Sequence, residues 1–281
     1  MAEDTAIYVR GLRKAYGGTP AVDGVDLDIA RGEVFALLGP NGAGKTTTVE
    51  ILEGYRRRDD GDVRVLGTDP AGAGTAWRSR VGIVLQGTGE FDELTVGEVV
   101  AHFARFYPSP DDPDAIIERV GLTAKRRTRT HALSGGQKRR LDVALGIVGR
   151  PELLFLDEPT TGFDPEARLA FWELIRDLAA GGTTIVLTTH YLAEAEALAG
   201  RVGVIAAGKL VAVAPPDELG DRKNAPATVR WHAADGPHSA ETSTPTAFVA
   251  ELATRFDAEV PGLTVTRPTL DDIYLRMIEA S

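Results

Sequence analysis

Gly39-Pro40-Asn41-Gly42-Ala43-Gly44-Lys45-Thr46 follows the apolar run Val34 to Leu38 and leads into Thr47-Thr48-Val49-Glu50-Ile51-Leu52, which reads as a helix. Strand, glycine loop and helix in that order form a phosphate-binding P-loop. Its glycines let backbone N–H groups turn inward around a polyphosphate, and the helix N-terminus adds partial positive charge. Lys45 can reach the β- and γ-phosphates while the Thr46 hydroxyl holds Mg²⁺. The stretch from Gly39 through Thr47 is therefore the candidate nucleotide-binding segment.

The rest of the composition sets limits on that reading. A chain of 281 residues has room for one large domain, or for one large and one small. Hydrophobic content of 43% and charged content of 26% are those of an ordinary globular chain. A formal charge of −10 argues against non-specific nucleic-acid binding, which needs a basic face. The clusters Arg56-Arg57-Arg58, Lys125-Arg126-Arg127 and Lys138-Arg139-Arg140 read as solvated helix ends and loop faces. With no cysteine, neither a disulfide framework nor a thiolate metal site can form. The start, Met1-Ala2-Glu3-Asp4, is acidic and lacks a signal-peptide core, and no apolar run reaches the roughly 18 residues that span a bilayer. Any membrane role is expected to go through another chain.

Residues 5–10 predict a first strand, and Val25, Leu27 and Ile29 alternate with Asp26 and Asp28 as in a half-buried antiparallel strand. Tyr16 lies between them in an expected loop, a candidate for stacking on an adenine ring. Strands follow at Val63–Leu66 and Val81–Leu85, the second ending at Gln86. From about 87 to 150 the chain reads as a helical insertion, with Thr95 and Glu98 in capping-box spacing and Val99, Phe103 and Phe106 on one side. Leu133-Ser134-Gly135-Gly136-Gln137 then opens a helix with apolar residues at 141, 144, 145 and 148. The buried strand Leu153–Leu156 ends in Asp157-Glu158, and Asp164-Pro165 starts a helix whose expected core face is Leu169, Trp172 and Ile175. Thr184–Thr188 is a further buried strand, closed by Thr189-His190. Apolar strands alternating with helices predict a parallel sheet covered on both faces.

A boundary is expected near 220, after Pro215-Pro216 and a polar stretch. Beyond it the pattern predicts strand 227–232, a polar loop 233–243, helix 245–256, strand 263–267 and helix 270–279. Thr269 and Asp272 cap the last helix, whose stripe is Leu270, Ile273, Tyr274, Met277 and Ile278. This is a small packed α/β appendage at 221–281.

The chemistry collects at strand ends. Asp157 is placed to reach the Mg²⁺ beside Thr46, and Glu158 to orient or deprotonate the attacking water. His190 can contact the γ-phosphate, and Gln86 can ligate Mg²⁺ or that water. Tyr16, Gly39–Thr46, Gln86, Leu133–Gln137, Leu153–Glu158, Asp164 and His190, in this order, resemble the ATP-binding cassette of ABC transporters. They match the family's A-loop, Walker A, Q-loop, signature, Walker B, D-loop and switch histidine over about residues 5–220. One departure is Phe163, where leucine is usual.

The resemblance implies a P-loop α/β fold with a mixed sheet core, an antiparallel β layer and a helical subdomain at about 87–150. It implies ATP hydrolysis with Mg²⁺ held at Thr46, Gln86 and Asp157. It also implies a cassette homodimer in which Ser134, Gly135, Gly136 and Gln137 meet the ATP of the partner. The closing Arg267-Pro268-Thr269-Leu270-Asp271-Asp272-Ile273-Tyr274-Leu275 resembles the daunorubicin-resistance type, which serves ABC-2 type permeases in drug, antibiotic or lipid export from the cytoplasmic face of the membrane. An import ATPase and a soluble non-transport ABC ATPase are the alternatives. The first is disfavoured by the C-terminal ending, the second by a single cassette without long heptad segments.

Overall fold

Alternating burial builds the first layer. In β2 (Thr19–Ala30) Val25, Leu27 and Ile29 are buried while Asp26 and Asp28 face solvent. The strand pairs antiparallel with β1 (Thr5–Tyr16), which pairs on its other edge with β4 (Asp60–Val65) in the order β2-β1-β4. The structure is a computed structural model describing residues 4–84, 91–256 and 259–279. Here β1 runs six residues beyond the expected 5–10, so Tyr16 is not in a loop. It is the last residue of the strand and pairs with Thr19 across a turn made by Gly17 and Gly18, both at positive φ.

The second sheet has six strands in the order β5-β6-β7-β3-β8-β9. These are β3 (Val34–Leu38), β5 (Val81–Val84), β6 (Leu153–Asp157), β7 (Thr184–Thr189), β8 (Arg201–Ala206) and β9 (Lys209–Ala214). The pairs β5–β6, β6–β7, β7–β3 and β3–β8 are parallel. Strands of this kind are covered on both faces and read as continuous apolar runs, and Leu153–Leu156 and Thr184–Thr189 are accordingly buried.

Helices α1 (Lys45–Leu52), α2 (Thr75–Arg78), α3 (Val96–Ala104), α4 (Pro113–Arg119), α5 (Gly135–Ile147), α6 (Pro165–Ala180) and α7 (Leu192–Leu198) complete this part. Local chemistry sets their starts. Thr95 and Glu98 close a capping box on α3, Pro113 is the first residue of α4, and the Asp164 carboxylate accepts from the Ala167 N–H at the start of α6. On α6 the expected core face is only partly right. Leu169 is exposed, whereas Phe171, Leu174, Ile175 and Leu178 are buried. Tertiary contact selected the stripe next to the one that spacing suggested.

Contacts divide the chain into two compact units, Met1–Val213 and Ala214–Ser281. In the second unit β10 (Ala227–Ala233) lies between β11 (Gly236–Thr242) and β12 (Thr264–Thr266), all antiparallel. The predicted loop 233–243 is thus mostly a strand, formed as the second arm of a hairpin despite its polar residues. Val229, Leu252 of α8 (Pro245–Ala253) and Val260 form the small core, with Trp231, Phe248 and Phe256 packed against it. Helix α9 (Leu270–Glu279) buries Leu270 and Ile273, and Thr269 and Asp272 exchange capping hydrogen bonds at its start.

One contact fixes where α5 sits on the large sheet. A Cβ at Gly82 in β5 would run into the Gly146 carbonyl oxygen of α5, and a Cβ at Gly146 would meet Val84. The first approach is to backbone and the second to a branched side chain, and neither leaves room for a methyl group. Gly82→Ala is expected to lower unfolding free energy by about 1–3 kcal/mol, the usual cost of overpacking. Thermal melts of the two proteins check it; an unchanged midpoint means the helix can move away from the strand.

Candidate active site

The P-loop connects β3 to α1. Gly44 is the N-cap of α1 at φ 106°, and a side chain there would strike the Ala21 carbonyl. Gly39 is packed as tightly against Ile205. Gly42 differs: its φ is 80°, which requires glycine, yet the space before it is open. Two glycines thus seat the loop on the core, and the third gives a left-handed turn with an empty face. The first N–H groups of α1 have no intrahelical acceptors, as at any helix start. Lys45 is buried and its ammonium donates to the Gly39 carbonyl at 2.7 Å and the Pro40 carbonyl at 3.1 Å. Burial lowers its pKa, opposed by the nearby charges of Glu158 and Asp157. A buried cation, a helix N-terminus and an open glycine turn suit a polyphosphate.

The acids sit on the neighbouring strands. Asp157 ends β6 and accepts a hydrogen bond of 2.5 Å from the Thr188 hydroxyl of β7. Glu158 follows at φ 44°, a left-handed conformation unusual for a residue with a side chain. Its N–H donates to the Thr188 carbonyl at 3.0 Å. Its Oε1 lies 3.1 Å from His190 Nδ1, and the Thr161 hydroxyl donates to Oε2 at 3.4 Å. The His190 side chain is half exposed, packs on the Tyr191 ring at 4.2 Å, and so keeps one edge toward the open side.

The basic cluster at 138–140 is not a solvated face throughout. Arg139 is buried, donating to the Asp157 carbonyl at 2.6 Å and the Pro159 carbonyl at 3.1 Å. Asp142 of the same helix lies 3.9 Å from its guanidinium and is equally buried. The sequence reading missed this pair. The available signal was the run Leu141–Val148, apolar nearly all round, which marks a helix buried on every side where charges must pair.

Ser134 and Gln137 form a capping box at the start of α5. Gly135 is exposed with nothing near its missing Cβ, and Gly136 has only the Ala167 methyl within reach. Among the described residues no hydrogen bond joins Ser134–Gln137 to the P-loop of the same chain. Asp164 is engaged as the cap of α6, and Phe163 beside it is buried edge-on against Phe171 at 5.7 Å. The aromatic ring packs into the core just ahead of α6. Tyr16 is partly exposed, with the Arg56 guanidinium 5.3 Å and the Lys14 ammonium 5.6 Å from its ring centre. Gln86 lies outside the described residues.

One more acid adjoins the site. Glu53 caps the C-terminus of α1 and is 9% exposed. Burial, with the charges of Asp157 and Glu50 added, pushes its pKa up to about 8.

A family profile described as ABC transporter matches residues 22–161. The chain is 43% identical over 221 residues to the daunorubicin resistance ATP-binding protein DrrA3 of Streptomyces coeruleorubidus, covering 77% of this chain and 70% of that protein. It is 36% identical over 304 residues to DrrA2 of the same organism, covering 97% and 94%. The Nod factor export ATP-binding protein I of Ralstonia nicotianae is 42% identical over 76% of this chain and 68% of its own. Among solved structures, cbiO1 of Clostridium perfringens, part of the ABC transporter complex cbiONQ, superposes with a TM-score of 0.70 at 29% identity, over 78% of this chain and 92% of that one. An ATP binding subunit of an ABC transporter does so with 0.69 at 26%, over 76% and 91%.

Glu53 supplies a pH test. Its folded pKa of about 8 stands above the ordinary 4.5, so between those values the folded state holds a proton that the unfolded state has lost. Stability from this group is therefore present at low pH and falls as pH climbs through that window. Glu53→Gln stays neutral throughout. Its melting temperature relative to the parent protein should rise steadily from about pH 5 to about pH 8. A difference that stays constant with pH would show that Glu53 ionises normally.

Proposed function

This chain belongs to the ABC transporter family, and from that premise we propose that it is the ATP-hydrolysing subunit of an ABC-2 type exporter, driving efflux of a drug, antibiotic or lipid-like compound through separate permease chains. Residues 1–220 act as the cassette and 221–281 as an accessory domain. The observation that carries hydrolysis is the contact between Glu158 and His190 at the ends of β6 and β7, beside the strand that delivers the P-loop. The export assignment leans on relatives named for daunorubicin resistance and Nod factor export.

In this reading Tyr16 stacks on the adenine, and Gly39–Thr47 bind the phosphates through backbone N–H groups. Lys45 turns from the loop carbonyls to the β- and γ-phosphates. Thr46 and Asp157, with Gln86, would hold Mg²⁺, which would supply charge neutralisation at the phosphates. A hydroxyl, a carboxylate, an amide oxygen and phosphate oxygens are all hard donors of the kind Mg²⁺ takes. Glu158 takes the proton as a water oxygen attacks the γ-phosphorus and ADP departs. His190 holds the Glu158 carboxylate from its Nδ1 side and presents its other nitrogen to the γ-phosphate. Asp164 fixes the start of α6 beside the site.

Ser134, Gly135, Gly136 and Gln137 serve a second copy. A signature with an open glycine and no bond to its own P-loop is suited to meeting the nucleotide of another chain at a helix N-terminus. A two-fold pair satisfies both sites at once, because such an interface is self-complementary. The dimer docks under the permease at the cytoplasmic face. Its attachment to the membrane is through the permease; among the described residues no helix is long and apolar enough to cross a membrane.

Glu158→Gln preserves shape but cannot accept a proton; it should bind ATP and hydrolyse it ~10²–10⁴-fold more slowly. Turnover near the parent rate would rule out Glu158 as the base. The same variant should accumulate as an ATP-dependent closed dimer, visible by size-exclusion chromatography. Mixing it with Ser134→Arg chains tests the trans contact: closure unaffected by Ser134→Arg, with both chains binding ATP, would exclude the shared site. Lys45→Ala should weaken ATP binding by about 1.5–3 kcal/mol, as befits a lost charge-assisted contact, in equilibrium titration.

A further inference from the structure

We propose that Arg139 is a positioning residue for hydrolysis, clamping the Asp157–Pro159 turn from helix α5 and so holding Glu158 in its working conformation. This rests on the reading of Glu158 as the base. The bonds are specific. The guanidinium donates to the carbonyls immediately before and after Glu158, at 2.6 Å to Asp157 and 3.1 Å to Pro159. From the opposite side the Glu158 N–H is held by the Thr188 carbonyl at 3.0 Å. Three consecutive residues are therefore pinned from two elements.

Pinning is needed because Glu158 is left-handed at φ 44°, a state that persists only where its surroundings enforce it. If the turn relaxes, the carboxylate swings away from His190 Nδ1, now 3.1 Å distant. The fork geometry of arginine suits two carbonyls at once, which an ammonium cannot span in the same way. Asp142, 3.9 Å away and buried, holds the guanidinium against the turn. Burial lowers the Arg139 pKa, with Asp142, Asp157 and Glu194 opposing that shift. A buried cation here is also a fold risk, since removing it leaves Asp142 without its ion pair. The test must separate that effect from positioning.

Three variants do so: Arg139→Lys, Arg139→Met, and Arg139→Met with Asp142→Leu, which removes both charges together. Each is measured for thermal melting, affinity for a fluorescent ATP analogue, and kcat and KM of ATP hydrolysis by the full chain. The expected result is affinity and KM within about twofold of the parent, with kcat lower by ~10–10²-fold, as misplacement of a reacting group by about 1 Å produces. Arg139→Lys should lie between parent and Arg139→Met. The charge-free pair should recover melting temperature but not kcat. If Arg139→Met alone fails to fold, the other two variants decide.

The clamp acts through Glu158, so single-turnover rates should be nearly the same for Glu158→Gln with and without Arg139→Lys; residues that work as a unit are not additive. Parent-like kcat in Arg139→Lys and in the charge-free pair would overturn the inference. So would full recovery of kcat in the charge-free pair, since Arg139 would then only neutralise Asp142. Failure of the base reading is distinct: it appears as hydrolysis by Glu158→Gln at the parent rate in the same assay.

Discussion

The register of three adjacent parallel strands is the constraint behind the whole site. Asp157 of β6 pairs with Thr188 of β7, and Leu38 of β3 pairs with Thr189. Neighbouring strands stand about 4.8 Å apart, so the glycine loop, the acid pair and the histidine leave the sheet within roughly 10 Å of one another. Pairing between strands far apart in sequence, such as Val34 with Ile185, is what assembles them. Asp157 is the last paired residue of β6, Glu158 and His190 follow one residue past their strands, and the glycine loop leaves directly from Leu38. A slip of one residue in β6 would send Asp157 to the other face. Full burial of Leu153–Leu156 and Thr184–Thr189 opposes that slip.

Local features of the sequence were legible because their causes are local. Glycine at 42 and 44, the Ser134–Gln137 and Thr95–Glu98 capping boxes and the Asp164-Pro165 helix start depend on neighbours three or four residues away, and all are present. The strand ends bearing Asp157 and His190 were legible from apolar runs. What escaped depends on partners far along the chain. Arg139 looks like one of three surface cations until the turn 18 to 20 residues later closes on it. The polar strand β11 forms because β10 offers it a ladder. Leu169 fits a helical stripe as well as Phe171 does, and packing chose the latter. Tyr16 was placed on the correct side of the P-loop but in the wrong local structure.

The site also gathers ionisable side chains where water is scarce. Lys45, Glu53, Arg139 and Asp142 are all buried, and Glu194 on α7 is completely so, with Thr160, Thr189 and Trp172 facing its carboxyl. Burial raises the pKa of Glu194 as it does that of Glu53, while it lowers those of Lys45 and Arg139. Each shift moves a group toward its neutral form, the expected response to a low-dielectric interior. Such an arrangement is costly to a resting fold and strengthens every charge interaction made within it. Lys45, the cation beside the glycine turn, is already held there by the Gly39 and Pro40 carbonyls.

The facing glycines of β5 and α5 bear on mechanics. With Gly82 against the Gly146 carbonyl and Gly146 against the Val84 methyl, strand and helix approach as closely as two glycines allow. The joint is stiff. Contact this close leaves α5 little room to tilt where it rests on β5, and Arg139 ties the same helix to the Asp157–Pro159 turn. Cushioning that joint with a larger side chain would turn a lever into a spring, delaying and weakening whatever signal the helix carries.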